Sequence, residues 1–564
     1  MTVCRQLPRS APSLPRLVRH LCSVLLVGGL LLGAPPCRAQ EAKDPAASPD
    51  PLTSQEEWGK QIYLTGESPS GEPVVALMGA SGVEVPASTL PCGNCHGRDG
   101  KGNPEGGVDP SNLTWEALTK PYGVRHESGR EHPPYTVRSL KRAIAMGFDP
   151  AGNELHAAMP RYRMTLEDMD AVVAYVRRLG TDPDPGVERE ALHLATLLPP
   201  AGVAGGVGEA IESVLRAFVA EVNEQGGLYS RRLILHVHRL VPEPERRRAD
   251  LEAFLDQTPV FAMVGAFLVR SDETIPSLLA EREIPLVGPF TLHPQSGFPI
   301  NRQVFYLLSG LATQGRVLVD FAAERRLSHG QTGDAEPTAL VVFSPDSGSE
   351  KAVQAIERQA ERHGWRIVRR PIPSGSSGAP PGSPPLEGQT LAKELAEEGA
   401  HAVFLLDPGV VTESFLSGLA PAEVYVPGVL AGAGVFDSPA AVAERLFLAL
   451  PSLPTDRSPQ AAERYRALAE KHELPRSNLN TQLLVLAAAE VLREGLEQAG
   501  REVSREKLIA ALEGLYDYRT GIVPPLTFNP NRHIGALGAY VVTLDPEQRT
   551  FRPLGGFREP EGRR

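Results

Sequence analysis

The residues best placed to do chemistry stand together at Pro91-Cys92-Gly93-Asn94-Cys95-His96-Gly97. Two thiols separated by two residues and followed at once by an imidazole have the spacing of a c-type haem attachment site. That spacing lets both sulfurs add to the vinyl groups along one porphyrin edge, and the adjacent histidine then turns under the iron as an axial ligand. The sequence therefore predicts one covalent haem c, held by Cys92, Cys95 and His96. Other uses of the pair are poorly served. A zinc site wants further ligands of matching spacing, and no second CxxC exists. A redox dithiol belongs at the start of a helix in a βαβ unit, whereas this pair sits between Pro- and Gly-rich loops.

Iron held by one histidine wants a second axial ligand, and methionines 146, 159, 164 and 169 compete for the role. Met169 shares helical spacing with Leu166, Val172 and Val173, so it reads as core. Met164 precedes a helix N-cap at Thr165, where it would pack on Met169 as a hydrophobic staple. Met146 ends a helix. Met159 sits in a loop, and Pro160 biases it toward an extended backbone that can lay a thioether across a haem face. Met159 is the expected ligand, with His156 as the runner-up.

These side chains need elements to position them. Ser54 to Leu64 reads as a helix with Trp58, Ile62 and Tyr63 on one face, Ser54 as N-cap and Glu56 and Glu57 in the first turn. Residues 65–91 read as loop. Tyr135 to Met146 is a second helix, and Thr165 to Leu179 is a strongly amphipathic third. The whole stretch is delivered across a membrane. Residues 1–39 combine Arg5, Arg9, Arg16 and Arg19 with a short apolar run from Leu21 to Ala34. A small-residue site at Cys37-Arg38-Ala39 leaves Gln40 as the new N-terminus. The run falls short of the ~20 residues of a spanning helix, and no later segment is apolar enough to span, so a periplasmic protein with no transmembrane segment in its mature form is expected. Of the five cysteines, Cys4, Cys22 and Cys37 leave with the signal, which rules out a structural disulfide framework.

Residues 54–180 resemble a class I cytochrome c. The pieces are a first helix with glycine and an aromatic four residues on (Gly59, Tyr63), the CxxCH, the proline segment Asp109-Pro110-Ser111-Asn112-Leu113, the Met159-Pro160 loop and the terminal helix. The resemblance implies that the first helix crosses the last at Gly59. It also implies that a backbone carbonyl, assigned to Pro110, accepts the His96 Nδ1–H and orients the ring.

At 564 residues the chain is too long for one core. Its net charge of −11 argues against nucleic-acid binding. Its 54 glycines and 53 prolines exceed the usual ~12% combined and call for long loops and linkers. Residues 40–53 read as one linker, and Thr181-Asp182-Pro183-Asp184-Pro185-Gly186 lies in a second, 181–189. Beyond it strands and helices alternate. Strands are expected at Leu192–Leu198, Arg232–His238, Pro259–Val264, Pro285–Gly288, Thr338–Phe343, Arg366–Arg370, His401–Leu406 and Glu423–Val426, which implies parallel sheets covered by helices. The glycine loop at Gly202, Gly205, Gly206 and Gly208 is not G-x-G-x-x-G, so a dinucleotide site is not expected.

This second half resembles the type I periplasmic binding proteins of the Leu/Ile/Val class. The resemblance rests on that glycine loop, Val222-Asn-Glu-Gln-Gly-Gly, Ile284-Pro-Leu-Val-Gly-Pro, Val304-Phe-Tyr-Leu, Val341-Val-Phe-Ser-Pro-Asp and Pro524-Pro-Leu-Thr-Phe-Asn-Pro-Asn. It covers residues 190–556, followed by a tail at 557–564. The expected fold is multidomain: an all-α class I cytochrome c domain followed by a two-lobed α/β type I periplasmic binding protein. Lobe one would hold 190–318 and the helices around 445–515. Lobe two would hold 335–440 and the C-terminal strands, with a low-complexity loop at 372–388.

The resemblance implies solute binding between the lobes. Ligand sites in such sheets lie beyond the C-terminal strand ends, which places Phe267, Ser271, Thr291 and Asp407 near the cleft. Ser271 and Thr291 would otherwise cap the helices that follow, and Asp407 its own helix. The cleft loops carry few hydroxyls and lack an expected aromatic, so a neutral or singly charged solute is preferred over a free branched-chain amino acid. The expected function is electron transfer combined with solute binding and no catalysis of its own. Expected partners are a small-molecule solute, a periplasmic redox partner and an ABC permease. An alternative makes the chain an electron-transfer subunit of a quinoprotein dehydrogenase, with the second half as scaffold.

Overall fold

A computed structural model describes residues 52–561, apart from 80, 103–109, 127–128, 181–182, 203–204, 298, 330–335, 346 and 373–387. The expected signal sequence, the new N-terminus at Gln40, Asp109, the start of the second linker and nearly all of the 372–388 loop lie outside the described residues. Among the described residues no helix is long and apolar enough to cross a membrane.

The first helix, Ser54–Thr65, is capped one residue earlier than expected. Thr53 accepts from the Glu56 N–H while the Glu56 carboxylate returns to the Thr53 N–H, a reciprocal capping box. Ile62 and Tyr63 are buried along its inner face. It crosses the helix Leu166–Val176 so closely that a Cβ at Gly59 would lie 1.9 Å from the Ala171 carbonyl oxygen. The expected helix crossing is therefore present, and only glycine fits there. Tyr63 meets Tyr175 edge-on, with ring centroids 5.4 Å apart. Helix Leu166–Val176 starts as read, with Thr165 accepting from the Asp168 N–H. Between these helices lie Val137–Met146, capped by Thr136, and the single helical turn Cys92–His96.

The stretch 65–91 is not all loop. Val75–Met78 and Val83–Pro86 form an antiparallel hairpin, and Arg161–Arg163 adds a third strand to it. Within the two strands only Ala76 is buried, too short an alternation to stand out in sequence. The pairing partner comes from more than 70 residues away, and Tyr162 on that strand is buried.

The second half contains two parallel-sheet lobes. In the first, strands run in the order Ile534–Ala536, Val304–Leu308, Leu286–Val287, Ala262–Val264, Ala191–Leu198 and Arg232–Arg239, all parallel. In the second the order is Arg366–Pro371, Thr338–Phe343, Ala402–Leu405, Glu423–Pro427, Leu446–Leu450, Tyr540–Asp545 and Thr550–Pro553, with the last two pairings antiparallel. Each lobe has its own apolar core. The chain crosses between lobes after Val304–Leu308, after Leu446–Leu450 and after Ile534–Ala536, the expected three crossovers.

The lobe boundaries differ from the sequence reading. Helix Leu311–Ser328 packs in the second lobe through Val317, Leu318 and Phe321, and strand Leu446–Leu450 belongs to that lobe's sheet. Conversely Ile534–Ala536, from the C-terminal strands, closes the first lobe's sheet. Both reassignments follow from long-range parallel pairing, which strand propensity does not encode.

Candidate functional site

Cys92 and Cys95 project from one turn of helix as free thiols. Cys92 is half-exposed as a residue, yet its sulfur is enclosed enough that burial, with Cys95 adding to it, pushes the thiol up to about 12. His96 is buried, and its Nδ1 lies 2.9 Å from the Ser111 carbonyl oxygen. A carbonyl only accepts, so Nδ1 carries the proton and a neutral ring offers the Nε2 lone pair. Burial pushes the His96 pKa down, despite the bond to Ser111, and favours that neutral ligand form.

The orienting carbonyl is thus Ser111's and not that of Pro110. The Pro110 carbonyl faces Gly102, where a Cβ would lie 2.2 Å from it. The proline segment serves as expected, one residue out of register. A shift of one residue reverses which carbonyls of an extended segment face the ring.

Two buried tyrosines, from elements remote in sequence, hold the motif at both ends. The Tyr63 hydroxyl donates to the Gly97 carbonyl at 2.7 Å, and the Tyr162 hydroxyl donates to the Leu90 carbonyl at 2.6 Å. Desolvation raises both phenol pKa values, so both remain donors. Sequence reasoning assigned Tyr63 to packing and missed Tyr162. An aromatic two residues beyond the Met159-Pro160 pair was the available signal.

The methionines separate by burial. Met146 is exposed and Met169 is core. Met159 and Met164 are half-buried against the same core that contains Tyr63 and Tyr162. Met159 ends a turn in which its N–H donates to the His156 carbonyl, and Pro160 leads directly into strand Arg161–Arg163. His156 is exposed, and its Nδ1 accepts from Ala158 in its own loop. Free thiols three residues apart on one turn, beside an imidazole fixed through Nδ1, are the donor set that a haem c requires, so the residues present fit that group.

The cleft residues are placed differently from the expectation. Phe267 is buried in the first lobe's core. The Ser271 hydroxyl is buried and accepts from the Arg247 guanidinium at 2.8 Å. Arg247 also donates to the Val241 and Val269 carbonyls. Thr291 donates to Asp272 and accepts from the His293 N–H. Asp407 accepts from Ser344 and from the Gly409 N–H, capping its own short turn. The hydroxyls therefore hold loops in place, and neither Ser271 nor Thr291 caps the following helix. The loops do lie at the strand ends, and the lobes meet there: Lys351 pairs with Glu273, and Gly348 packs on the His293 ring.

Residues 191–549 match the family model described as periplasmic binding protein. The chain belongs to that family. Residues 87–180 match the model for cytochrome c, so a cytochrome c domain, which implies haem c, precedes the binding-protein domain. Among solved structures, a fatty acid ABC transporter substrate-binding protein from Thermomonospora curvata is 16% identical with a TM-score of 0.52, covering 67% of this chain and 95% of its own. A branched chain amino acid ABC transporter protein from Thermus thermophilus with bound valine is 14% identical with a TM-score of 0.52, covering 66% and 97%. At such identity these two show the fold alone. No curated protein sequence matches the chain.

Proposed function

We propose that this protein is a periplasmic one-electron carrier joined to a solute-binding protein. Cys92 and Cys95 would hold one haem c covalently, and His96 and Met159 would ligate its iron. The reading is carried by Cys92 and Cys95 on one helical turn next to His96, whose Nδ1 is committed to Ser111. When bound, the haem supplies a reversible one-electron change, and Met/His ligation raises its potential. The chain's own part is positional. Ser111 fixes the imidazole plane, Tyr63 and Tyr162 hold the motif's two ends, and the surrounding apolar core would shield the bound group from water.

The second domain holds a small solute between its lobes and presents it to an ABC permease. The two-lobed fold, the strand-end loops and the contacts Lys351–Glu273 and Gly348–His293 support this reading. Native mass spectrometry of the protein taken from a periplasmic fraction tests both halves. A mass carrying one haem and a second, dissociable small molecule is expected. A chain mass without haem contradicts the first half of the reading. The absence of any added mass after titration with a broad solute library contradicts the second.

A further inference from the structure

The segment between the two domains is not a free tether. Leu179 is buried in the cytochrome c domain's core, and a Cβ at Gly180 would lie 2.9 Å from the Thr114 Cγ2. From Asp184 on, the chain is built into the first lobe. The Asp184 carboxylate accepts the Arg505 backbone N–H at 2.6 Å, and the Gly186 carbonyl accepts the His193 N–H at 2.8 Å. Gly186 has φ +87°, a Cβ there would stand 2.4 Å from the Phe261 nitrogen, and Val187 is buried in that lobe's core. The chain from Gly180 to Asp184 reaches about 14 Å at full extension, so the two domains stay close.

A side-chain pair joins them at the haem motif. Arg98, which follows His96 and Gly97, forms an ion pair with Glu283 of the first lobe. The Arg98 loop is itself tied to the motif: the Gly97 carbonyl accepts from Tyr63, and the Gly102 N–H donates to the His96 carbonyl at 2.9 Å. Glu283 lies just past the helix Thr274–Glu281, with φ +53°. That left-handed position at a helix end ordinarily takes glycine, and another residue there costs roughly 1 kcal/mol. Arg505 fixes the same corner. Besides its N–H bond to Asp184, its buried guanidinium donates to the carbonyls of Val260, Phe261 and Arg282, the residue before Glu283. The Arg98 and Glu283 side chains are 46% and 35% exposed, so their pairing adds little to stability. What it sets is the place of Arg98 and the balance of charge beside His96.

We infer that Glu283, from the binding-protein domain, is a positioning residue of the haem site: it holds Arg98, and with it the loop that follows His96, and it neutralises the charge Arg98 brings there. This rests on the haem reading of the first domain and adds to it a residue of the second. Spectroelectrochemical titration of the full-length haem protein at low ionic strength tests it, comparing Glu283→Gln, Arg98→Gln and the double variant. An uncompensated positive charge near a haem disfavours the oxidised form, and an uncompensated negative charge favours it. The reduction potential should therefore rise in Glu283→Gln, fall in Arg98→Gln and return close to the parent's in the double variant. Both shifts should shrink at about 1 M salt. Loosened packing alone would move both single variants the same way, so shifts of one sign, or none, overturn the inference. Hydrogen exchange reads the same hold without reference to the haem. The amides of Val187, Glu188 and Arg505 should be protected in the parent, and residues 97–102 should exchange faster in Glu283→Gln. Exchange of Val187 and Glu188 at the rate of an open chain, or of 97–102 unmoved by the variant, also overturns it. A protein that carries no haem contradicts the reading beneath, and the exchange result then decides the inference by itself.

Discussion

Replacing Gly59 with alanine should destabilise the haem domain, although alanine is the better helix former. The added Cβ would stand 1.9 Å from the Ala171 carbonyl oxygen, 2.4 Å from its carbon and 3.0 Å from the Tyr175 Cβ. Ordinary contact needs about 3.5 Å, so the two helices must part by roughly 1.5 Å. The obstacle is backbone within a helix and has no rotamer to give. Overpacking of this kind costs ~1–3 kcal/mol, and a rigid target places the change at the upper end. Helix propensity returns up to ~1 kcal/mol. The net expectation is a loss of about 2 kcal/mol, or roughly 8 °C in the midpoint of a domain this size. Thermal unfolding of the full chain, followed by haem absorbance and by fluorescence of Trp58 and Trp115, measures it. Lys60→Ala, next in the same helix, is the control. A Gly59→Ala protein as stable as the parent would refute the close crossing and with it the seat of Tyr63.

Three further outcomes follow from the same domain. Met159→Ala should abolish the thioether–iron charge-transfer band and lower the reduction potential, read by visible spectroscopy and spectroelectrochemistry; the same loss in Met164→Ala alone would move the ligand to Met164. Tyr63→Phe and Tyr162→Phe should each cost about 1–3 kcal/mol in chemical denaturation by leaving the Gly97 or Leu90 carbonyl without its partner, and unchanged midpoints would show that these hydroxyls do not hold the motif. Asp168 is fully buried, and although burial pushes its pKa up, hydrogen bonds from Ser68, Thr165 and Trp58 hold it below the usual aspartate value. A depressed folded pKa contributes stability above the unfolded pKa of ~3.9, lost as pH falls through the folded value. Acid unfolding of the haem domain should therefore be less steep in Asp168→Asn, and an unaltered acid limb would remove Asp168 from that role.

Much of the haem domain was legible because its signals are local. The CxxCH, the Thr165–Asp168 cap and the Gly59 crossing each occupy a few adjacent residues whose types have one use. What was missed depends on partners far along the chain. The Val75–Pro86 hairpin is completed by Arg161–Arg163, and Tyr162 reaches Leu90 only once that strand is in place. The orienting carbonyl was displaced by a single residue, from Pro110 to Ser111, because spacing in an irregular segment does not say which carbonyl turns inward. In the binding-protein half, strand existence was readable from apolar runs, but membership of a lobe was not. Parallel pairing of Leu446–Leu450 with Glu423–Pro427, and of Ile534–Ala536 with Val304–Leu308, is decided in three dimensions. Ser271, Thr291 and Asp407 lie at the strand ends as expected, yet their polar atoms are engaged by Arg247, Asp272 and Ser344, which no spacing rule foretells.

Covalent attachment of haem through Cys92 and Cys95 is tested most directly by denaturing electrophoresis of the full-length protein followed by haem-peroxidase staining. The full-length band should stain after reduction and boiling, and the stain should disappear in the Cys92→Ala, Cys95→Ala double variant. A parent band that loses its stain on denaturation, or a double variant that keeps it, would contradict the attachment.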